Sequence, residues 1–262
     1  MQKRKILFFD IDGTLLSEKT HTIPSSAIQA LEKVKKQGHL IFINTGRPIS
    51  TIDQCIQDLP IDGYICGCGT YITYHDQVLY HHTLKSERCY EIAHLIKENK
   101  IDGVLESYDG VYFNQNIKNN DLKEMKERYL QRNFPVYDMN HPYLQFDKFA
   151  VWFDHNINDF RKNILQDFDI IERSHEMLEI VPQGHSKATG IQFLVDYFHS
   201  HLDDCYVFGD SYNDESMLRY VKHSIVMANG DQAMKDIAYF ITKDIEEDGL
   251  AYALNHFHLT GE

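Results

Sequence analysis

Cysteine is scarce in this chain of 262 residues, with five, at positions 55, 66, 68, 89 and 205. So odd and sparse a set is the pattern of reduced thiols, and it excludes a disulfide framework as the source of stability. Proline (6) and glycine (14) are also few, which excludes collagen-like and linker-like chains, and 43% hydrophobic residues are enough to bury a core. Positive charge is in deficit, 26 Lys and Arg against 39 Asp and Glu, for a net charge of −13. Such a surface repels a phosphate backbone and excludes nucleic acid as a partner. A small anion is still admissible where metal, lysine and backbone N–H groups make a locally positive site. Long apolar runs are missing too. The stretch from Met1 to Lys5 leads into Ile6-Leu7-Phe8-Phe9 and stops at Asp10, too short a run for a signal peptide or a membrane span, so a cytoplasmic protein without membrane contact is expected.

Several site signatures are absent as well. No Gly-x-x-x-x-Gly-Lys-Ser/Thr loop occurs, and Gly13 stands fourth in its acidic run where a calcium-binding EF-hand needs glycine sixth. The 15 histidines include His81-His82, His199-x-His201 and His256-x-His258, but none has zinc-site spacing, and Cys66-x-Cys68 has no matching second pair. Most of the histidines are therefore expected at the surface.

What is present is an alternation of strands and helices. Lys5–Phe9 and His39–Asn44 read as buried parallel strands, Ile61–Cys66 as a third, and Cys205–Phe208, His223–Ala228 and Tyr239–Thr242 as others. Between them lie a helix with Ile28, Leu31 and Val34 on one face, a helix over 49–59, and one carrying Ile191, Leu194, Val195 and Phe198. The pattern predicts an α/β fold, a doubly wound parallel sheet with its ligand site outside the strand carboxyl ends. The middle has a different rhythm, with helices over 86–100, 121–131 and 158–168 among strands over 103–106, 110–113, 148–153 and 178–181, and reads as an inserted α+β domain. The expected division is 1–80 with 184–262 as core and 81–183 as insertion, crossed by short hinges.

The residues with chemical potential gather at the predicted strand ends. Asp10-Ile11-Asp12-Gly13-Thr14 presents two carboxylates, one to attack and one to handle protons, although Asp and Gly are also ordinary turn residues. Gly209-Asp210-Ser211-Tyr212-Asn213-Asp214 adds hard oxygen donors suited to magnesium, or, more plainly, a helix cap. Thr45 with Gly46 offers a hydroxyl beside little bulk. Arg47 suits bidentate phosphate recognition or a carboxylate partner. Lys187 can neutralise an anion or simply be solvated. In the insertion, Tyr108, Asp109, His141 and Lys148 either choose a leaving group or form solvated surface.

Taken together and in this order, Asp10-x-Asp12-Gly-Thr, Thr45-Gly-Arg47, Lys187 and Gly-Asp210-x-x-Asn213-Asp214 resemble the four motifs of the haloacid dehalogenase superfamily. The insertion lies between the second and third, as in the Cof-type members with a large α/β cap. Ala228-Asn229-Gly230-Asp231 and the segment over 238–250 are similar to the Cof-type ending. Cys66-Gly67-Cys68-Gly69 departs from the family, where many relatives place Asn-Gly. The resemblance implies a Mg2+-dependent phosphatase acting on small phosphorylated metabolites, sugar phosphates above all. It implies Asp10 as nucleophile forming an aspartyl phosphate and Asp12 as general acid and base. Thr45, Gly46, Arg47, Lys187 and Asn213 would hold phosphate; Asp10, the Asp12 main-chain carbonyl and Asp210 would hold the metal, with Asp214 behind them. A sugar-phosphate mutase and a non-catalytic phosphometabolite-binding protein are the alternatives on the same motifs.

Overall fold

The computed structural model describes residues 3–261, and they form two compact units. The first comprises residues 3–46, Gln54–Leu79 and residues 186–261; the second comprises Arg47–Asp53 and Tyr80–His185. Strands are numbered along the chain.

The first unit is built on an eight-stranded sheet in the order β14-β13-β12-β1-β2-β3-β4-β5, whose edge strand β5 ends in Tyr80 and His81, the residues with which the chain enters the second unit. Its strands are β1 (Ile6–Phe9), β2 (Leu40–Asn44), β3 (Gly63–Cys66), β4 (Tyr71–Tyr74), β5 (Gln77–His81), β12 (Cys205–Gly209), β13 (His223–Val226) and β14 (Phe240–Ile241). The strands β1, β2 and β12 are buried at every position, which is why they read as continuous apolar runs and not as alternations. Parallel pairing joins β14, β13, β12, β1, β2 and β3 in that order. Rings lock the register of the centre: Phe9 stacks on Phe208 at 4.5 Å and Phe8 on Phe42 at 5.8 Å. The Ser25–Lys36 helix buries Ala27, Ala30, Leu31 and Val34, and the Lys187–Tyr197 helix buries Ile191, Leu194 and Val195.

The α/β expectation holds, with local differences. The sheet is parallel only as far as β3; β4 returns antiparallel to it, a strand the apolar pattern does not announce. The expected helix over 49–59 is broken into a turn at Ile49–Thr51 and a single turn at Gln54–Gln57. The cause is Asp53 between them, whose carboxylate takes Arg47 and Arg132, both within the second unit.

The second unit has a six-stranded sheet in the order β10-β11-β9-β6-β7-β8, with β6 (Asp102–Ser107), β7 (Gly110–Phe113), β8 (Val136–Asp138), β9 (Lys148–Trp152), β10 (Phe168–Ser174) and β11 (Met177–Pro182). Its pairings are antiparallel except β7 with β8. One face packs Leu105, Phe149, Val151 and Ile180 with Ile92, Ile96, Phe160 and Ile164 from the Ser86–Glu98 and Asn158–Ile164 helices. The other packs Val104, Phe113 and Trp152 with Leu122 of the Asn120–Gln131 helix. The last expected helix stops at Ile164 because Phe168 begins a strand. The two ends of this unit are tied together by a 2.8 Å hydrogen bond between the Tyr80 hydroxyl and His185 Nε2. No helix among the described residues is long and apolar enough to cross a membrane.

Candidate active site

Strand order explains how distant residues meet. Because β1 lies between β12 and β2, the residue following β1 (Asp10) is flanked by the residues following β12 (Asp210) and β2 (Thr45) at the carboxyl edge. Backbone bonds carry each strand one residue further: Asp10 N–H donates to Phe208 O at 3.0 Å and Thr45 N–H to Ile65 O at 2.9 Å.

Lys187 stands in the first turn of its helix, where the helix dipole disfavours a cation. Ser186 caps that helix in a reciprocal box with Thr189, and the Lys187 carbonyl accepts from buried Asn44 Nδ2 at 3.1 Å. The fully buried side chain donates to Asp10 Oδ1 at 2.7 Å and to Asp214 Oδ1 at 2.6 Å. Burial works against the ammonium, but Asp10 and Asp214 outweigh it and hold its pKa above the ordinary lysine range. Burial first, then the Asp214 and Asp12 charges against the pull of Lys187, lift Asp10 to about 7. Burial, Asp10 and Asp214 lift Asp210 to about 8, opposed by the Thr14 hydroxyl, at 2.9 Å, and by the Lys187 charge.

These three carboxylates hold one oxygen each within 4.8 Å of one another, and among the described residues no histidine joins such a group. Asp214 has both oxygens committed, Oδ1 to Lys187 and Oδ2 to the N–H groups of Asp210 and Ser211 at 2.9 and 3.1 Å. Asp10 and Asp210 are thus the acidic pair left with one ammonium between too many negative charges. Hard oxygen donors crowded with surplus charge are the donor set a magnesium ion fits.

Other parts of the predicted set are placed unequally. Half-buried Asp12 lies in the turn after β1, bridged to Leu16. Gly13, at φ +75, allows that turn to run against Asp210: a Cβ there would lie 2.4 Å from Asp210 Oδ2. Thr45 is buried, and its carbonyl accepts from Cys68 N–H at 3.2 Å. Gly46 is half-buried beside it. Asn213 has its amide oxygen bonded to the Ser211 hydroxyl at 2.8 Å. Arg47 differs from the rest. It belongs to the second unit and pairs with Asp53 at 2.9 Å, the carboxylate-partner reading of that residue.

Two residues escaped the sequence reading of the site. Thr14 orients Asp210, and Asn229 donates to Gly13 O at 2.8 Å while accepting from Ile245 N–H at 3.0 Å, clamping the Asp12-Gly13 turn. Both stood inside recognised motifs, but only a contact assigns them work. In the second unit, Lys148 is not solvated: it is 3% exposed and paired with Glu106 and Glu179. Tyr108 and Asp109 are exposed, and His141 is half-buried.

The sequence model of the haloacid dehalogenase-like hydrolases matches residues 7–254, and the chain belongs to that family. Within it, the chain is a phosphatase. It is 28% identical to YkrA of Bacillus subtilis over 97% of this chain and 98% of that protein. It is 26% identical to the 5-amino-6-(5-phospho-D-ribitylamino)uracil phosphatase YitU of the same organism, again over 97% and 98%. Among solved structures it is similar to BT4131, a haloacid dehalogenase subclass IIB sugar phosphatase, with a TM-score of 0.82 and 29% identity over 97% of this chain and 99% of that one.

Proposed function

We infer that the chain is a Mg2+-dependent phosphatase of small sugar and polyol phosphates that works through an aspartyl phosphate on Asp10. The observation that carries this reading is the buried Lys187 ammonium bridging Asp10 and Asp214 at 2.7 and 2.6 Å, with Asp210 within reach of both carboxylates. Asp10 and Asp210, with the Asp12 main-chain carbonyl, would hold the ion, which when bound supplies positive charge that draws Asp10 into its ionised form and offsets charge on the phosphoryl group. Lys187 keeps Asp10 oriented and is a ready partner for a phosphoryl oxygen, with Thr45 and the Asn213 amide as further donors. Asp10 attacks phosphorus; the bond to the leaving oxygen breaks as Asp12 gives that oxygen its proton. Asp12 then takes a proton from water, whose oxygen attacks phosphorus and releases Asp10 with inorganic phosphate.

The substrate class is supported by relatives named for a phosphoribitylamino compound and for sugar phosphates. Action in the cytoplasm is part of the same proposal, supported by five cysteines that form no disulfide among the described residues. The test is phosphate release from a panel of sugar, polyol and nucleoside phosphates with Mg2+ or with EDTA, beside Asp10→Asn. Release that needs Mg2+ and vanishes in the variant is the expected outcome. Isomerisation of a hexose phosphate without release would replace this reading with a mutase, and no turnover of any member by the folded protein would sink it.

A further inference from the structure

The second unit carries a groove of about 750 Å³ that shares no residue with the acidic centre. We propose that this groove binds a mononucleotide-sized anion, a flat heteroaromatic body bearing a phosphate.

One wall is a single face of the Ser86–Glu98 helix, Tyr90, Ala93, His94 and Lys97, spaced three and four apart. The apolar floor includes the buried residues Ile96, Ile101 and Met139. Its size is in the range of small-molecule sites, and its apolar floor lies under a rim of polar and charged side chains.

The groove is built in advance. Asp102 accepts from the backbone N–H groups of Lys118 and Asn119, each at 2.6 Å, and from Asn114 Nδ2 at 3.0 Å. Asn114 Oδ1 in turn accepts from Gly103 N–H at 2.9 Å, so the wall over 114–119 is fixed to the start of β6. The opposite loop is held likewise: the Tyr90 hydroxyl donates to Pro142 O at 2.6 Å, and Asp138 accepts from Asn140 N–H at 2.7 Å. Little ordering is left for a ligand to impose.

Charge selects the ligand. Lys97, Lys100 and Lys118 line the groove, and the carboxylate among its lining, Asp102, is 7% exposed with its oxygens spent on the wall. On a chain of net charge −13 this is a cationic rim over an apolar floor. Lys100 is in the left-handed region at φ +54, at the end of the helix, where glycine would be unstrained. The Asn114 amide is spent on the wall, whereas the Asn140 amide, with one N–H on Asp138, presents its oxygen and second N–H to a ring edge; His141, 5.3 Å from the Tyr137 ring, joins Tyr90 on the aromatic side of the groove. A bare phosphate would use the lysines and waste the floor; an uncharged ring would do the reverse.

The single tryptophan of the chain reports on this place. Trp152 lines an adjoining cavity of about 240 Å³ that shares Lys100, Asp102 and Lys118 with the groove. The experiment titrates AMP, and separately inorganic phosphate, into the full-length Asp10→Asn protein in EDTA, reading Trp152 fluorescence and heat. A saturable change with AMP is expected, with phosphate at least roughly tenfold weaker. The exchange Lys100→Glu with Lys118→Glu is expected to weaken AMP at least roughly tenfold, the loss of one or two charge-assisted bonds. Ala93→Trp, filling the groove from its wall, is expected to do the same. In a background with Asp10 intact, these exchanges leave phosphate release as it is, because none of the three residues belongs to the acidic centre. No saturable change, AMP binding indifferent to both sets of exchanges, or phosphate binding as tightly as AMP would each overturn the proposal. None of these outcomes depends on the phosphatase reading.

Discussion

Replacing Lys187 by methionine keeps the length of the side chain and removes its charge, leaving Asp10 and Asp214 facing each other at a site where both are 2% exposed or less. Removing one partner of a buried pair costs about 3–5 kcal/mol, because the remaining charge is left uncompensated. The cost must depend on pH with a definite sign. Burial lifts the Asp10 carboxyl to about 7 even with the ammonium present; without Lys187 to lower it the shift is larger, so the folded state holds a proton that the unfolded chain has lost. Stability of the variant therefore falls as pH rises from 5 to 8, more steeply than that of the native protein. A second change identifies the cause. Asn at 214 retains an oxygen for the N–H groups of Asp210 and Ser211 and turns an amide N–H2 toward Asp10, so Asp214→Asn should restore about half of the loss. Urea unfolding followed by circular dichroism in EDTA measures both variants at pH 5 and 8, while phosphate release stays abolished in each. A loss under about 1 kcal/mol at pH 8, or a double variant less stable than Lys187→Met, would refute the argument that charge compensation holds this site together.

Gly13→Ala forces a Cβ against Asp210 at a φ of +75; phosphate release should fall at least roughly a hundredfold and the protein lose about 1–3 kcal/mol, measured by turnover and urea unfolding. Of the five cysteines only Cys55 is exposed, and burial pushes the Cys205 thiol up to about 12. A thiol reagent should therefore label one sulfur in the native protein and all five in denaturant. Rapid native labelling at Cys66 or Cys68 would contradict the packing around β3.

The carboxyl-edge centre was legible because its strands are buried on both faces and therefore announce themselves as unbroken apolar runs ending in Asp10, Asn44 and Gly209. What the linear pattern could not convey is pairing. The short strands β4 and β8 carry mixed residues whose half-burial exists only beside their neighbours. The helix over 49–59 had acceptable spacing and was broken by Asp53, whose two arginine partners lie 6 and 79 positions away. Lys148 looked like a solvent-facing lysine until β6 and β11 brought Glu106 and Glu179 to it. The roles of Thr14 and Asn229 are likewise properties of contacts across 196 and 216 positions, which no local signal encodes.

The bond between Tyr80 and His185 has a bearing on how the centre comes into being. Asp10 and Lys187 are 177 positions apart, and the two ends of the second unit account for 105 of them. Once that unit has folded and closed on itself, the chain that must be looped to bring nucleophile and ammonium together is shorter by more than half. The entropic saving is only about 0.6 kcal/mol per halving, so its weight falls on sequence of events: an excursion that completes itself first returns the chain close to where it left. Helix and strands arriving after residue 185 then meet β1 as near neighbours, and two buried acids need not wait long for their counter-charge.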